Sequence, residues 1–113
     1  MCKLEVQEND GVTVVRLVGS LSSTDVIEVE PQFRAVAMDK VRRVVVDMAG
    51  VEILATPAIT MFISAMTYQR RNGGRLIFTG TEGAIDKLLH VCRLDTIMTI
   101  VHDPTAAIAQ AGR

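Results

Sequence analysis

The stretch Val44-Val45-Val46-Asp47-Met48-Ala49-Gly50-Val51-Glu52-Ile53-Leu54-Ala55-Thr56-Pro57 decides how the rest of the chain is read. Its first half is a short continuous apolar run that ends in an acid. Such a run suits a central strand covered on both faces of a parallel sheet better than a half-solvated edge. Its second half crosses Gly50, carries Val51 to Leu54 forward and arrives at Thr56-Pro57. Threonine at the N-cap with proline next to it signals a helix start. The hydroxyl can accept a free amide, and proline surrenders an N–H that would lack a partner anyway. The spacing predicts a helix from Thr56 to about Arg71, stopped by Asn72-Gly73-Gly74. Ile59, Phe62, Ile63 and Met66 make its expected buried face, which turns Ala58, Met61 and Ala65 towards solvent.

Downstream, Arg75 to Thr79 reads as the next buried strand, and Glu82 to Cys92 as a helix with Ile85, Leu88, Leu89 and Cys92 on its apolar face. Ile97 to Val101 reads as a short last strand, and Asp103-Pro104 opens a terminal helix. Upstream, residues 3–8 and 12–18 form two strands joined at Asn9-Asp10-Gly11, where Asp-Gly supplies the positive backbone angles of a tight hairpin. Gly19 ends the second strand. Residues 20–30 are polar and read as a long loop, with Ser22, Ser23, Thr24 and Asp25 all able to cap a helix. Pro31 suits a first helical position, and Phe33, Val36 and Ala37 follow at helical spacing. The order is β-β-α-β-α-β-α-β-α. It predicts an α/β fold with a four- to five-stranded mixed sheet, an N-terminal hairpin and helices mainly on one face. No repeat, linker or low-complexity segment divides the 113 residues, so 1–113 reads as one domain.

Apolar residues make up 49% of the chain, enough to build a core without disulfide staples. Twelve basic against thirteen acidic side chains give a net charge of −1, which argues against nucleic acid as a partner. Arg42-Arg43 and Arg70-Arg71 read as solvated ends of a strand and a helix. Cys2 falls on a frayed terminus, Cys92 reads as a small packing residue, and their spacing does not suggest zinc. His90 and His102 lack a third ligand at a useful spacing, so no metal or other cofactor is expected. Nothing resembles a signal peptide or a membrane span, and the expected location is the cytoplasm. A catalytic set is missing too. Gly73-Gly74 precedes a strand instead of opening a helix, no Gly-x-Ser-x-Gly occurs, and Asp47 and Glu52 read as a strand-end anchor and a solvated acid.

The remaining feature is the helix opened by Thr56. A helix N-terminus carries free amides and partial positive charge, so it favours an anion. Two roles are open to Thr56: a plain N-cap, or a phosphate acceptor whose modification repels a partner without refolding the domain.

At this helix start the chain resembles the STAS family, the anti-sigma factor antagonists and their relatives. Val44 to Val51 is similar to the family's hydrophobic strand followed by Asp-Leu-Ser-Gly-Val. Asn72-Gly73-Gly74-Arg75-Leu76-Ile77-Phe78-Thr79-Gly80 and Leu94-Asp95 fit as well, and Leu17-Val18-Gly19-Ser20-Leu21 resembles its Gly-x-Leu-Asp segment. The family's Asp-Ser-Ser-Gly box stands here as Ala55-Thr56-Pro57-Ala58, with the phospho-acceptor serine matched by Thr56. The acid of Gly-x-Leu-Asp is matched by Ser22, so the family's two partner-facing acids are Ser22 and Ala55 in this chain. The resemblance implies a non-enzymatic module that binds an anti-sigma factor, in some cases a serine/threonine kinase, as a monomer or weak homodimer. The surface it implies comprises Ser22, Ala55, Thr56, Pro57, Ala58, Met61 and Ala65. The loss of the acids leaves a second reading open: a non-phosphorylated STAS module of a stressosome-like or transporter-associated complex.

Overall fold

The computed structural model describes residues 1–39 and 43–112. The chain forms β1 (Cys2–Asn9), β2 (Val12–Leu21), α1 (Ser23–Ala37), β3 (Arg43–Leu54), α2 (Thr56–Arg71), β4 (Arg75–Thr79), α3 (Gly83–Val91) and α4 (Pro104–Ala111), with a 3₁₀ turn at Leu94–Thr96. The strands form one sheet in the order β1-β2-β3-β4. β1 and β2 pair antiparallel through the expected two-residue turn, with Asn9 opposite Val12 and positive φ at Asp10 and Gly11. The pairs β2/β3 and β3/β4 are parallel. Cys2 is not frayed: it opens β1 opposite Gly19 and is half-buried.

Alternation along β3 sets the two layers. Val44, Val46 and Met48 point with Val15, Leu17, Leu76 and Phe78 into the larger core, which α1, α2 and α3 cover. Val45 points the other way, with Val12 and Ile77, against Ala107 and Ala111 of α4. β3 is covered on both faces, as its unbroken valine run requires. It also runs on as one twelve-residue strand past Asp47, because register shifts between Arg16 and Val18 and between Gly19 and Ser20 absorb its bend. Asp47 therefore sits mid-strand. It is buried, accepts the Ala49 N–H at 3.0 Å and lies 3.4 Å from Arg16 Nε.

Three other expectations fail for local reasons. Residues 23–30 are helix, not loop, because Ser22 caps α1 and Val26, Val29, Phe33 and Ala37 bury one stripe. Pro31 then lies inside α1 and removes the bond to the Ile27 carbonyl; both residues are exposed, so the freed carbonyl faces the solvent side. Residues 97–101 do not form a strand. Only Ile100 bridges to Phe78, through Phe78 N–H to the Thr99 carbonyl (2.8 Å) and Val101 N–H to the Phe78 carbonyl (2.9 Å). Cys92 ends α3 and is exposed, so it packs nothing. Of the two arginine pairs, Arg43, Arg70 and Arg71 are exposed, and Arg42 lies outside the described residues.

Candidate functional site

Parallel strands deliver their C-terminal ends to one side of the sheet, and the helices that follow start there. Leu21 pairs with Leu54, and the Ala55 N–H donates to the Leu21 carbonyl at 3.0 Å. That bond places Ser22 next to Ala55, and so sets the start of α1 beside the start of α2. Residues more than thirty positions apart in sequence become one surface.

Thr56 is exposed at this surface, but it is not the N-cap. Ala55 takes that position in extended geometry, with no side chain able to bond the first turn, and Thr56-Pro57 open the helix itself. The Ala58 and Ile59 amides both turn back to the Ala55 carbonyl, at 3.0 and 3.4 Å. No acid lies in the first turn of α2, so the partial positive charge there is not neutralised by its own helix. A group attached to the Thr56 hydroxyl would project into solvent from a position that favours negative charge.

Ser22 serves the neighbouring helix. Its hydroxyl oxygen accepts the Asp25 N–H at 3.2 Å and its O–H donates to Asp25 Oδ2 at 2.7 Å, while the Met1 ammonium reaches the same oxygen at 3.0 Å. An acid thus stands beside Ser22 after all, supplied from three residues further on, and it is already paired. The Ser22 hydroxyl and then the Met1 ammonium hold the Asp25 carboxyl below the ordinary carboxylate range. Its folded pKa is depressed, so its stabilising effect is present above the ordinary carboxylate value of about 3.9 and fades as pH falls through the folded value. Replacing Ser22 with alanine should raise the Asp25 pKa in an NMR carboxyl titration and, by removing the cap, cost about 1 kcal/mol. An unchanged Asp25 titration would show that the hydroxyl is not what holds it.

The apolar part of the surface differs from the expected one. Ala58, Met61 and Ala65 are buried with Phe62 and Gln69, whereas Ile59 and Met66 are half-buried and Ile63 is partly exposed. α2 is rotated by about one residue from the expected phase, so none of the three residues expected outside faces solvent. The exposed apolar residues at this end are Ile53 (54%), two residues before Ala55, and Ile27 (74%), one turn into α1. A shallow groove between the two helices, lined by Glu30, Arg34, Pro57 and Thr60 among others, extends the surface along α2. Ile27 and Ile53 could be suspected from sequence only by phase: each stands one position out of step with a buried neighbour, Val26 and Leu54.

Each histidine is paired with an acid. His90 lies 2.9 Å from Asp95, which pushes its pKa up, and His102 lies 3.1 Å from Asp86, which also accepts from Thr81. Glu52 is exposed. Among the described residues no three His, Cys, Asp or Glu side chains gather as a metal set, and no helix is long and apolar enough to cross a membrane.

A sequence model of the STAS domain matches residues 3–107. An anti-sigma factor antagonist from Mycobacterium paratuberculosis shares the fold with TM-score 0.90 at 19% identity, over 100% of this chain and 96% of that one. An anti-sigma-factor antagonist (STAS) domain protein from Planctomyces limnophilus matches with TM-score 0.81 at 19% identity, over 98% of each chain. The Bacillus cell fate determinant SpoIIAA in its phosphorylated form matches with TM-score 0.70 at 15% identity, over 97% of this chain and 98% of that one.

Proposed function

The chain belongs to the STAS domain family, and from that premise we propose that it is an anti-sigma factor antagonist, a cytoplasmic regulator of transcription that works by binding and not by catalysis. Its partner is an anti-sigma factor, in one form a serine/threonine kinase, and the docking surface is the paired start of α1 and α2. The observation that carries the reading is the joining of Ser22 to Ala55 and Thr56 by the Ala55–Leu21 bond, at the two places where family members carry partner-facing acids. In this chain Ile27 and Ile53 supply exposed apolar area to the same surface. Binding would bury that area and leave Ser22 and Asp25 at the rim.

Phosphorylation of Thr56 is the proposed control. A phosphate brings a charge of roughly −1.5 to −2 to a surface whose apolar flanks must lose water on docking. It fits the electropositive end of α2 in the free protein but must be desolvated in the complex, so it shifts the balance to the free form. That SpoIIAA has been solved in a phosphorylated form on the same fold supports a switch of this kind. Pull-down from native cytoplasm with Thr56→Asp and Thr56→Ala in parallel tests it. The aspartate should weaken capture of the anti-sigma factor about tenfold or more, as expected for a desolvated interfacial charge, while alanine leaves it unchanged. Equal capture by both variants would remove Thr56 from the switch.

One observation favours a second reading. Ala55 has no carboxylate and Asp25 is already paired to an ammonium, so the surface lacks the free acids of other family members. A constitutive STAS module of a stressosome-like or transporter-associated complex needs neither acids nor phosphate. Recovery of a transporter or scaffold subunit by wild type and both variants alike would select it.

A further inference from the structure

Residues 97 and 98 do not carry the pairing at Thr99–Val101 further along the sheet edge, and a cavity lies beside β4 there. β4 is the edge strand, and the Ile100 bridge covers it only at Phe78. Peptide groups alternate direction along a strand, so Leu76, two residues before Phe78, also presents its N–H and carbonyl outward, past the point where the covering chain has left. Between this edge, the C-terminal half of α2 and residues Ile97–Thr99 lies a space of about 620 Å³. Pockets that hold small organic ligands run from about 300 to 1,000 Å³.

The lining is divided by chemistry. Ile63 and Met66 of α2, Leu76 of β4 and Ile97 form an apolar wall, and Ile97 is left 60% exposed. Arg70 and Arg75 stand on the same cavity, and no Asp or Glu lines it among the described residues. Arg75 spends one donor on the Gln110 carbonyl (3.0 Å); a guanidinium has five, so others remain for a ligand. Two cations in the same lining as an apolar wall, with no acid beside them in that lining, match a ligand with an anionic head and an apolar body. Arginine also favours a planar carboxylate or a sulfonate over a neutral group of the same shape.

We propose that the cavity between α2, the β4 edge and Ile97–Thr99 binds a small amphipathic monoanion, its acid group on Arg70 and Arg75 and its apolar body on Ile63, Met66, Leu76 and Ile97. The site lies at the C-terminal end of α2, away from Thr56, and it does not depend on the identity of the protein partner.

The test uses the full chain with 8-anilinonaphthalene-1-sulfonate, whose fluorescence rises in apolar surroundings. Binding should saturate at one site, be displaced by decanoate, and resist displacement by decan-1-ol at equal concentration. Arg70→Gln with Arg75→Gln should weaken it about tenfold, the scale of losing a charge-assisted hydrogen bond. Ile97→Asp, an exposed position that a fold failure would not confound, should weaken it too. Backbone NMR shifts on adding decanoate should concentrate at Ile63, Leu76 and Ile97. Circular dichroism melts confirm that each variant stays folded. Absence of saturable binding, equal displacement by the alcohol, or shifts centred elsewhere would each overturn the proposal.

Discussion

Replacing Phe62 with alanine should destabilise the protein by about 3–5 kcal/mol, the range for emptying a buried aromatic site. Phe62 is 1% exposed and holds the centre of the larger core. Its ring meets Phe33 of α1 edge-on with centroids 5.6 Å apart, and Phe78 of β4 at 5.2 Å. Each such contact adds about 0.5–1.5 kcal/mol beyond area burial. The void cannot close cheaply, because its walls are a strand paired in the sheet and two helices packed on it. A domain of this size has only about 5–15 kcal/mol of stability in total, so one substitution removes a large share of it. Urea unfolding should show a lower midpoint with unchanged slope, and the melting temperature should fall by more than about 10 °C. Ile63→Ala, one residue along and partly exposed, should cost no more than about 1 kcal/mol. Similar losses in both variants would mean that α2 does not pack in the rotation described above. The same ring joins α1 to α2, so Phe62→Ala should also loosen the surface around Thr56 and weaken partner capture without touching it.

The sequence reading went furthest where the signal is local. Asp10-Gly11 placed the hairpin, the valine run placed β3, and Thr56-Pro57 with Asn72-Gly73-Gly74 bounded α2 at the residues where it starts and stops. The STAS resemblance followed from the order of these pieces and agrees with the family match over residues 3–107. Failures came where two local rules compete. Pro31 looked like a helix start and hid the stripe Val26, Val29, Phe33 and Ala37, which begins a full turn earlier. On α2 two apolar stripes overlap, and the larger side chains at Ile59, Ile63 and Met66 suggested the wrong one. The larger core instead receives Ala58, Met61 and Ala65, with buried Gln69 in the same stripe donating to the Ala37 carbonyl at 2.7 Å across to α1. Close helix approach favours small residues, and no periodicity rule contains that. The contact between Ser22 and Ala55 is long-range, fixed by strand register, and only the family pattern hinted that the two belong to one surface.

Gly80→Ala should cost about 3 kcal/mol, because two separate costs fall on one atom. Gly80 has φ +74°, where a Cβ costs about 1–2 kcal/mol by backbone strain alone. That Cβ would also lie 2.6 Å from Asp47 Oδ1 and 2.7 Å from Ala49 N, the two ends of the bond by which Asp47 holds the bend of β3. Overpacking of this kind adds about 1–3 kcal/mol. Ala49 N is backbone and cannot swing aside, so relief requires β3 to shift or the Asp47–Ala49 bond to break. Either movement lies on the strand that ends at Leu54, beside the N-cap Ala55, and so reaches the start of α2. Gly83 provides the control: its φ is +57°, yet nothing lies within 4 Å of its Cβ position, so Gly83→Ala should carry only the strain, about 1–2 kcal/mol. Chemical denaturation of the two variants separates the terms. Equal losses would mean that β3 accommodates the methyl group freely and that the Asp47 anchor is not rigid. A larger loss at Gly80, with altered amide shifts at Ala49 and Ala55, would show that the bend of β3 fixes where Thr56 stands.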